Sequence, residues 1–180
     1  MIELSGCEKR KFKSICSSVD KLDKEPWEKV ELELINQKGL TKEMTTNLKR
    51  FVQFTGKPWE LLQEIKDKGL FKGHESGEAT IKEMELLFTY CEAMGCLDDL
   101  LFDFSLARGL DYYTGLIYEA VLTDENRVGS IAGGGRYDGL VGMFSGKDIP
   151  AVGVSIGIER VFAILEEKAK SQSGIRATKT

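Results

Sequence analysis

The sequence predicts an α+β protein in which helices come first and an antiparallel sheet follows. Three observations lead to this fold class. Apolar residues recur at helical spacing in the first half, their period changes to two after Asp99, and glycine-rich turns then separate short apolar segments. We therefore predict a helical domain at 1–98, a sheet domain at 99–170 and a polar tail at 171–180.

Proline and glycine divide the helical domain into several short helices. Pro26 suits the first turn of one helix and Gly39 its end, and another helix can start after Thr41. Pro58 opens a further helix. The clearest pattern predicts a helix over 78–94, because apolar residues recur there every three or four positions. These residues are Ile81, Met84, Leu87, Phe88, Cys91 and Met94.

Four strands are predicted in the sheet domain. The first follows from a period of two over 100–106, and the others cover 116–122, 128–132 and 151–156. Because these strands lack a uniformly apolar, doubly covered pattern, we expect an antiparallel sheet with one face covered by a final helix at 158–169. The opposite face is then left for a ligand. The apolar side of the final helix carries Ile158, Val161, Phe162 and Leu165.

Composition excludes several classes of protein. The 180 residues carry 25 basic and 29 acidic side chains, a net charge of −4, so an RNA contact would need a local basic patch. Four cysteines without a C-x-x-C pair and a single histidine argue against a zinc site and favour free thiols. No apolar run approaches the roughly 18 to 20 residues of a membrane span. We expect a cytoplasmic protein that has no membrane partner and no metal ligands of its own.

The segment Arg108–Thr114 concentrates one guanidinium, one carboxylate and two phenols. The planar fork of Arg108 matches a carboxylate or a phosphate, which predicts an anion site. In an extended segment only one of Tyr112 and Tyr113 shares a face with Arg108, whereas a loop or bulge lets both contribute. The alternative is an ion pair between Arg108 and Asp111, with tyrosines that only pack.

Two glycine-rich segments follow. The run 133–135 removes side chains, so a ligand can lie against backbone amides, although a tight turn or a bulge at the sheet edge explains it as well. Over 153–157 glycines alternate with other residues, which fits the close approach of a flat purine ring. Arg160 could stack on that ring or reach a terminal phosphate. Its alternative is an ion pair with Glu159 or Asp103.

These segments, in this order and within 53 residues, resemble the histidyl-tRNA synthetases, a family of class II aminoacyl-tRNA synthetases. Residues 108–114 are similar to the family's first histidine-specific motif, 132–140 to its second, and 153–160 to class II motif 3. Residues 16–24 also resemble the eukaryotic cytosolic form. The resemblance implies part of a class II antiparallel sheet, preceded by a helical insertion domain.

The resemblance also implies a reaction and roles for single residues. Histidine and ATP, with Mg²⁺, condense to histidyl-adenylate, and the histidyl group then passes to the 3′ end of tRNA(His). Arg108 is the implied catalytic residue, in contact with the α-phosphate and the substrate carboxylate, and Arg160 and Gly157 bind ATP. The residues implied in histidine binding are Arg108, Tyr112, Tyr113, Gly133, Gly134, Gly135 and Tyr137. The insertion domain is expected to lie against the acceptor end of the tRNA.

The chain departs from the family pattern in what it lacks. Before Arg108 we find neither class II motif 1, which builds the family's homodimer, nor motif 2, which grips ATP, and no anticodon-binding domain follows motif 3. We therefore expect little aminoacylation by these 180 residues alone, and a homodimeric parent enzyme. The alternative function is a non-catalytic module that senses histidine or tRNA. Degenerate histidine-specific motifs would favour that alternative, and here they are intact.

Overall fold

The computed structural model describes residues 1–108, 112–123, 129–147 and 149–173. The chain divides into two compact units, Met1–Arg108 and Gly109–Thr180. The predicted combination of helices with an antiparallel sheet is confirmed. Most of the predicted tail, from residue 174 onward, lies outside the described residues, as does Val128 at the start of the third predicted strand. Among the described residues, no helix is long and apolar enough to cross a membrane.

The helices of the first unit follow the predicted start and stop signals. Their bounds are α1 (Phe12–Val19), α2 (Trp27–Asn36), α3 (Lys42–Val52), α4 (Pro58–Asp67) and α5 (Glu75–Ala93). Pro26 directly precedes α2, and Pro58 occupies the first turn of α4. Thr41 caps α3, because its Oγ1 accepts a hydrogen bond of 3.2 Å from the backbone N–H of Met44. Gly39 follows α2 with φ of 66°, a left-handed conformation that glycine adopts without steric cost.

Two groups of buried side chains stabilise this unit. The first lies on α1, α2 and α3 and consists of Ile15, Val19, Val30, Leu34 and Leu48. The second lies on α4 and α5 and consists of Leu61, Leu62, Ile65, Ile81 and Phe88. Burying one such side chain contributes about 1.5–3 kcal/mol. Helices α1 to α4 have 8 to 11 residues and are too short to be stable in isolation, so packing between their apolar faces stabilises them.

The prediction that residues 100–106 form a strand of the main sheet is wrong. Only β2 (Phe102–Asp103) is a strand, and it pairs antiparallel with β1 (Thr55–Gly56) in the helical unit. Phe102 packs edge to face on Phe88, with ring centroids 5.3 Å apart. The alternating apolar residues therefore complete the helical core. For the same reason the compact unit extends to Arg108, whereas the prediction ended it at residue 98.

The second unit contains a three-stranded antiparallel sheet among its described residues. In the order β3 (Ile117–Val121), β4 (Ser130–Arg136) and β5 (Val152–Ile156), β4 is the central strand. It extends beyond the predicted end at residue 132, so the glycine run lies within the strand and not in a turn. Helix α6 (Asp138–Ser145) was not predicted, and α7 (Ile158–Ser173) matches the predicted final helix.

Helix α7 covers less of the sheet than its sequence pattern predicts. Of the four apolar residues assigned to its buried side, Val161 is half-buried, whereas Ile158, Phe162 and Leu165 are 77%, 66% and 60% exposed. Ile164 is half-buried as well, three positions after Val161. Periodicity thus located the helix, but assigned its buried side incorrectly.

Candidate functional site

Arg108 ends the first unit, where two aspartates contact its guanidinium. Its Nε lies 3.5 Å from Oδ1 of Asp20, and its Nη2 donates a hydrogen bond of 3.1 Å to Oδ2 of Asp23. All three side chains are between 40% and 42% exposed. Local sequence could not reveal these partners, because Asp23 lies 85 residues before Arg108. The alternative partner Asp111 lies outside the described residues, as does the adjacent Gly109.

Three tyrosines form an aromatic cluster in the second unit. The ring centroids of Tyr112 and Tyr113 are 4.5 Å apart, and those of Tyr113 and Tyr137 are 6.5 Å apart. Tyr112 lies in a turn and not in a strand, which allows the two neighbouring rings to come together. Desolvation, followed by a hydrogen bond with Tyr112, raises the pKa of Tyr113 above its ordinary value. A phenol is neutral at physiological pH even without this shift, so Tyr113 keeps its proton there.

Glycines of β4 and β5 make room for these rings. A Cβ atom at Gly135 would lie 2.9 Å from the ring of Tyr113, closer than real Cβ contacts allow. At Gly153 a Cβ atom would collide with the hydroxyl of Tyr137. The missing side chains therefore let two tyrosines pack directly on the strand backbone.

Tyr118 on β3 is a fourth tyrosine that sequence reasoning missed. It stands opposite Gly134 across the sheet, and its hydroxyl donates a hydrogen bond of 2.8 Å to the carbonyl of Gly153. A Cβ atom at Gly134 would lie 2.7 Å from that hydroxyl and would collide with the same carbonyl. At Gly133 the nearest atom would be 3.6 Å away, an ordinary contact. The packing of the chain thus explains Gly134 and Gly135, while a ligand is still the explanation predicted for Gly133.

Asp138 joins three segments around the tyrosine cluster. Its Oδ1 accepts a hydrogen bond of 2.8 Å from the backbone N–H of Ala151, and its Oδ2 accepts one of 2.6 Å from Nε of Arg136. The first of these bonds, more than the second, holds the pKa of Asp138 below its ordinary value. Its own N–H donates to Oγ1 of Thr114 at 3.1 Å. The sequence signal for this role is an acidic residue that begins a helix just after a glycine-rich strand.

Arg160 lies in the first turn of α7, as predicted. Its Nη1 donates a hydrogen bond to the carbonyl of Ser130 at the start of β4. The N–H of Gly157 donates a hydrogen bond of 2.8 Å to the carbonyl of Ile131, so the junction between β5 and α7 lies next to β4. Binding of ATP by Arg160 and Gly157 stays a prediction.

Solved structures share this architecture. The chain superposes with a TM-score of 0.80 on the histidyl-tRNA synthetase from Nostoc sp. PCC 7120, at 34% identity over 92% of this chain and 40% of that chain. A TM-score of 0.66 at 19% identity relates it to an ATP phosphoribosyltransferase regulatory subunit/histidyl-tRNA synthetase from Bacillus halodurans C, covering 93% and 46% of the two chains. This second likeness concerns the fold alone. The chain therefore has the fold of part of an aminoacyl-tRNA synthetase.

A profile of the histidyl-tRNA synthetases matches residues 16–161. The chain belongs to the histidyl-tRNA synthetase family, and the resemblance to that family is confirmed. It is 51% identical over 170 residues to the cytoplasmic histidine–tRNA ligase of Dictyostelium discoideum, covering 94% of this chain and 35% of that protein. The mitochondrial ligase of Homo sapiens is 44% identical over 191 residues, covering 100% of this chain and 38% of that protein. The chain thus spans little more than a third of these relatives.

Proposed function

We propose that this chain forms the histidine-recognising part of a histidine–tRNA ligase. In that reaction a carboxylate oxygen of histidine attacks the α-phosphorus of ATP, the bond to the β-phosphate breaks, and pyrophosphate leaves. The terminal hydroxyl of tRNA(His) then attacks the histidyl carbonyl, and AMP leaves. Membership of the family supports this proposal, and the histidine-specific motifs are intact.

The tyrosine cluster on the glycine-rich strand is the observation that carries the proposal. Neutral imidazole has one nitrogen that donates a hydrogen bond and one that accepts, and a phenol hydroxyl can do either. Tyr113 is a neutral phenol at physiological pH, and Tyr112 and Tyr137 lie beside it. Gly133 offers bare backbone where a side chain would otherwise fit. These groups suit a small, flat, polar ring.

We assign the charged parts of the substrates to two arginines. Arg108 stabilises the negative charge that develops at the α-phosphate, and one such donor is typically worth about 3 to 4 kcal/mol. Arg160, with Gly157 beside it, binds ATP through its planar guanidinium. Mg²⁺ accompanies the ATP phosphates. Among the described residues, no group of three or more His, Cys, Asp and Glu side chains could hold a metal ion.

We also propose the class, the oligomeric state, the tRNA contact and the cellular location of the parent enzyme. The similarity of residues 153–160 to motif 3 supports class II. Membership of the family supports a homodimeric parent and binding of the acceptor end of tRNA(His) by the helical unit. The cytoplasmic names of the Dictyostelium and rice relatives support a cytoplasmic enzyme, although mitochondrial ligases are also among the relatives. The alternative is a non-catalytic module that senses histidine or tRNA, because the same fold can carry different functions.

Histidine-dependent exchange of pyrophosphate into ATP tests the proposal in a full-length ligase that carries these residues. We expect Arg108→Ala to slow the exchange about 100- to 1000-fold, and Tyr113→Phe to raise the KM for histidine about 10-fold. Tyr90→Phe, at an exposed tyrosine of α5, is the control and should change neither value. Undiminished exchange in Arg108→Ala would overturn the role of Arg108. Histidine binding without any exchange by the unaltered protein would favour the sensing module.

A further inference from the structure

Two aspartates and one arginine form a charged cluster in the first unit. Asp20 contacts Nε of Arg108 and Asp23 contacts Nη2, so both carboxylates meet the same edge of the guanidinium. A planar guanidinium that is held at two of its nitrogens keeps a defined orientation as well as a defined position. The cluster therefore controls where the arginine points.

The segment that carries the aspartates is itself anchored. Asp20–Asp23 is a turn of 3₁₀ helix that directly continues α1, whose Val19 is buried. On α2, Glu33 accepts a hydrogen bond of 2.7 Å from Ser18 and one of 2.5 Å from Lys21. The bond from Lys21, followed by the one from Ser18, lowers the pKa of Glu33, so this carboxylate stays ionised at neutral pH. Asp20 and Asp23 therefore lie on a segment that is anchored to α1 and α2, as a positioning role requires.

Stability alone is a weak reason for this arrangement. Ion pairs between exposed side chains contribute little, because water and salt screen them and ordering long side chains costs entropy. Arg108, Asp20 and Asp23 are each at least 40% exposed. A positioning role gives this entropy cost a purpose, because the guanidinium is already oriented as a hydrogen-bond donor when the substrate binds.

We propose that Asp20 and Asp23 are positioning residues that orient Arg108 for the activation of histidine. The inference rests on the proposed function, because orientation matters only if Arg108 acts on the substrates. Lys24 also contacts Oδ2 of Asp23, at 3.7 Å, so two carboxylates balance two cations here, and each Asn substitution would leave an excess of positive charge. Removing a carboxylate therefore favours the approach of anionic ATP while the orientation of Arg108 is lost. A fall in kcat without a rise in the KM for ATP is the expected signature.

Pyrophosphate exchange in the full-length ligase separates this role from a structural one. We expect the double variant Asp20→Asn, Asp23→Asn to lower kcat at least 10-fold with an unchanged or lower KM for ATP, because small misplacement of a catalytic group is costly. Asp23→Glu keeps the charge and should retain more activity than Asp23→Asn. Glu25→Gln is the matched control, since Glu25 pairs with Lys29 at 2.6 Å and is expected to leave kcat unchanged.

Combination with Arg108→Lys gives the decisive comparison. If the aspartates act through Arg108, adding both Asn substitutions to Arg108→Lys should lower kcat little further. Full additivity, or normal kcat in the Asn variants, would overturn the inference while leaving the proposed function intact. A ligase without histidine-dependent exchange before any substitution would overturn the proposed function, and this inference with it.

Discussion

Gly133 and Gly134 are neighbours in β4, yet we predict opposite responses to the same substitution. Gly134→Ala would press a methyl group against the carbonyl of Gly153 and the hydroxyl of Tyr118. At Gly133 the nearest atom would be 3.6 Å from the new Cβ. Both residues are paired within the sheet, and neither has the positive φ that an alanine would resist.

The expected magnitudes follow from these contacts. Overpacking costs typically about 1–3 kcal/mol, and Gly134 belongs at the upper end because one neighbour is backbone. Displacing the hydrogen bond between Tyr118 and Gly153 costs about 1 kcal/mol more. Alanine restricts the unfolded chain more than glycine does, and this effect offsets the loss of stability by about 0.4–1 kcal/mol. We therefore expect Gly134→Ala to lower the free energy of unfolding by about 3 kcal/mol, and Gly133→Ala to leave it unchanged or slightly raised.

Hydrogen–deuterium exchange with mass spectrometry measures this difference locally. Both tryptophans, Trp27 and Trp59, lie in the first unit, so tryptophan fluorescence would not follow the second. Peptides covering 130–136 should exchange about 100-fold faster in Gly134→Ala, whereas peptides from α4 should not change. Equal exchange in the two alanine variants would refute the packing explanation. If Gly133 instead faces the ligand, Gly133→Ala should weaken histidine binding while its exchange stays normal.

Three further predictions concern other parts of the chain. Tyr118→Phe removes the hydrogen bond to Gly153 and should cost about 1 kcal/mol in chemical denaturation of the second unit; no loss would contradict that bond. The pKa of Asp138 is lowered from 3.8 in the folded chain, so its stabilising effect is present above that value and is lost as pH falls through the folded pKa. Asp138→Asn should remove this part of the acid sensitivity, which thermal unfolding between pH 2 and about 6 would show. Burial raises the pKa of Cys16 to about 11, so iodoacetamide at about pH 8 should alkylate it only after unfolding. Rapid alkylation of the native chain, detected by mass spectrometry, would rule out the buried thiol.

Local signals predicted the helices well because their causes are local. A proline in the first turn and a threonine cap act within a few residues, as Pro58 and Thr41 show. The strand at Phe102 also has the predicted period of two. Its partner is Gly56, which no local pattern could identify, so the strand was assigned to the wrong sheet.

The functional residues show the same division between local and distant causes. The chemistry of Arg108 as an anion-binding group follows from its side chain, but its partners Asp20 and Asp23 come from a segment 85 or more residues away. The three glycines of β4 look equivalent in sequence. They differ because the fold brings Tyr118 and the carbonyl of Gly153 to Gly134, and the ring of Tyr113 to Gly135.

Motif residues that support the tyrosine cluster must be separated from those that face a ligand before activity data can be interpreted. Asp138 touches Ala151, Arg136 and Thr114, so its loss would displace Tyr137 by way of the backbone. Such a variant should lose activity and stability together. A residue whose side chain contacts histidine and supports nothing else in the chain should lose binding alone. Measuring both quantities therefore assigns each motif residue, which activity by itself cannot do.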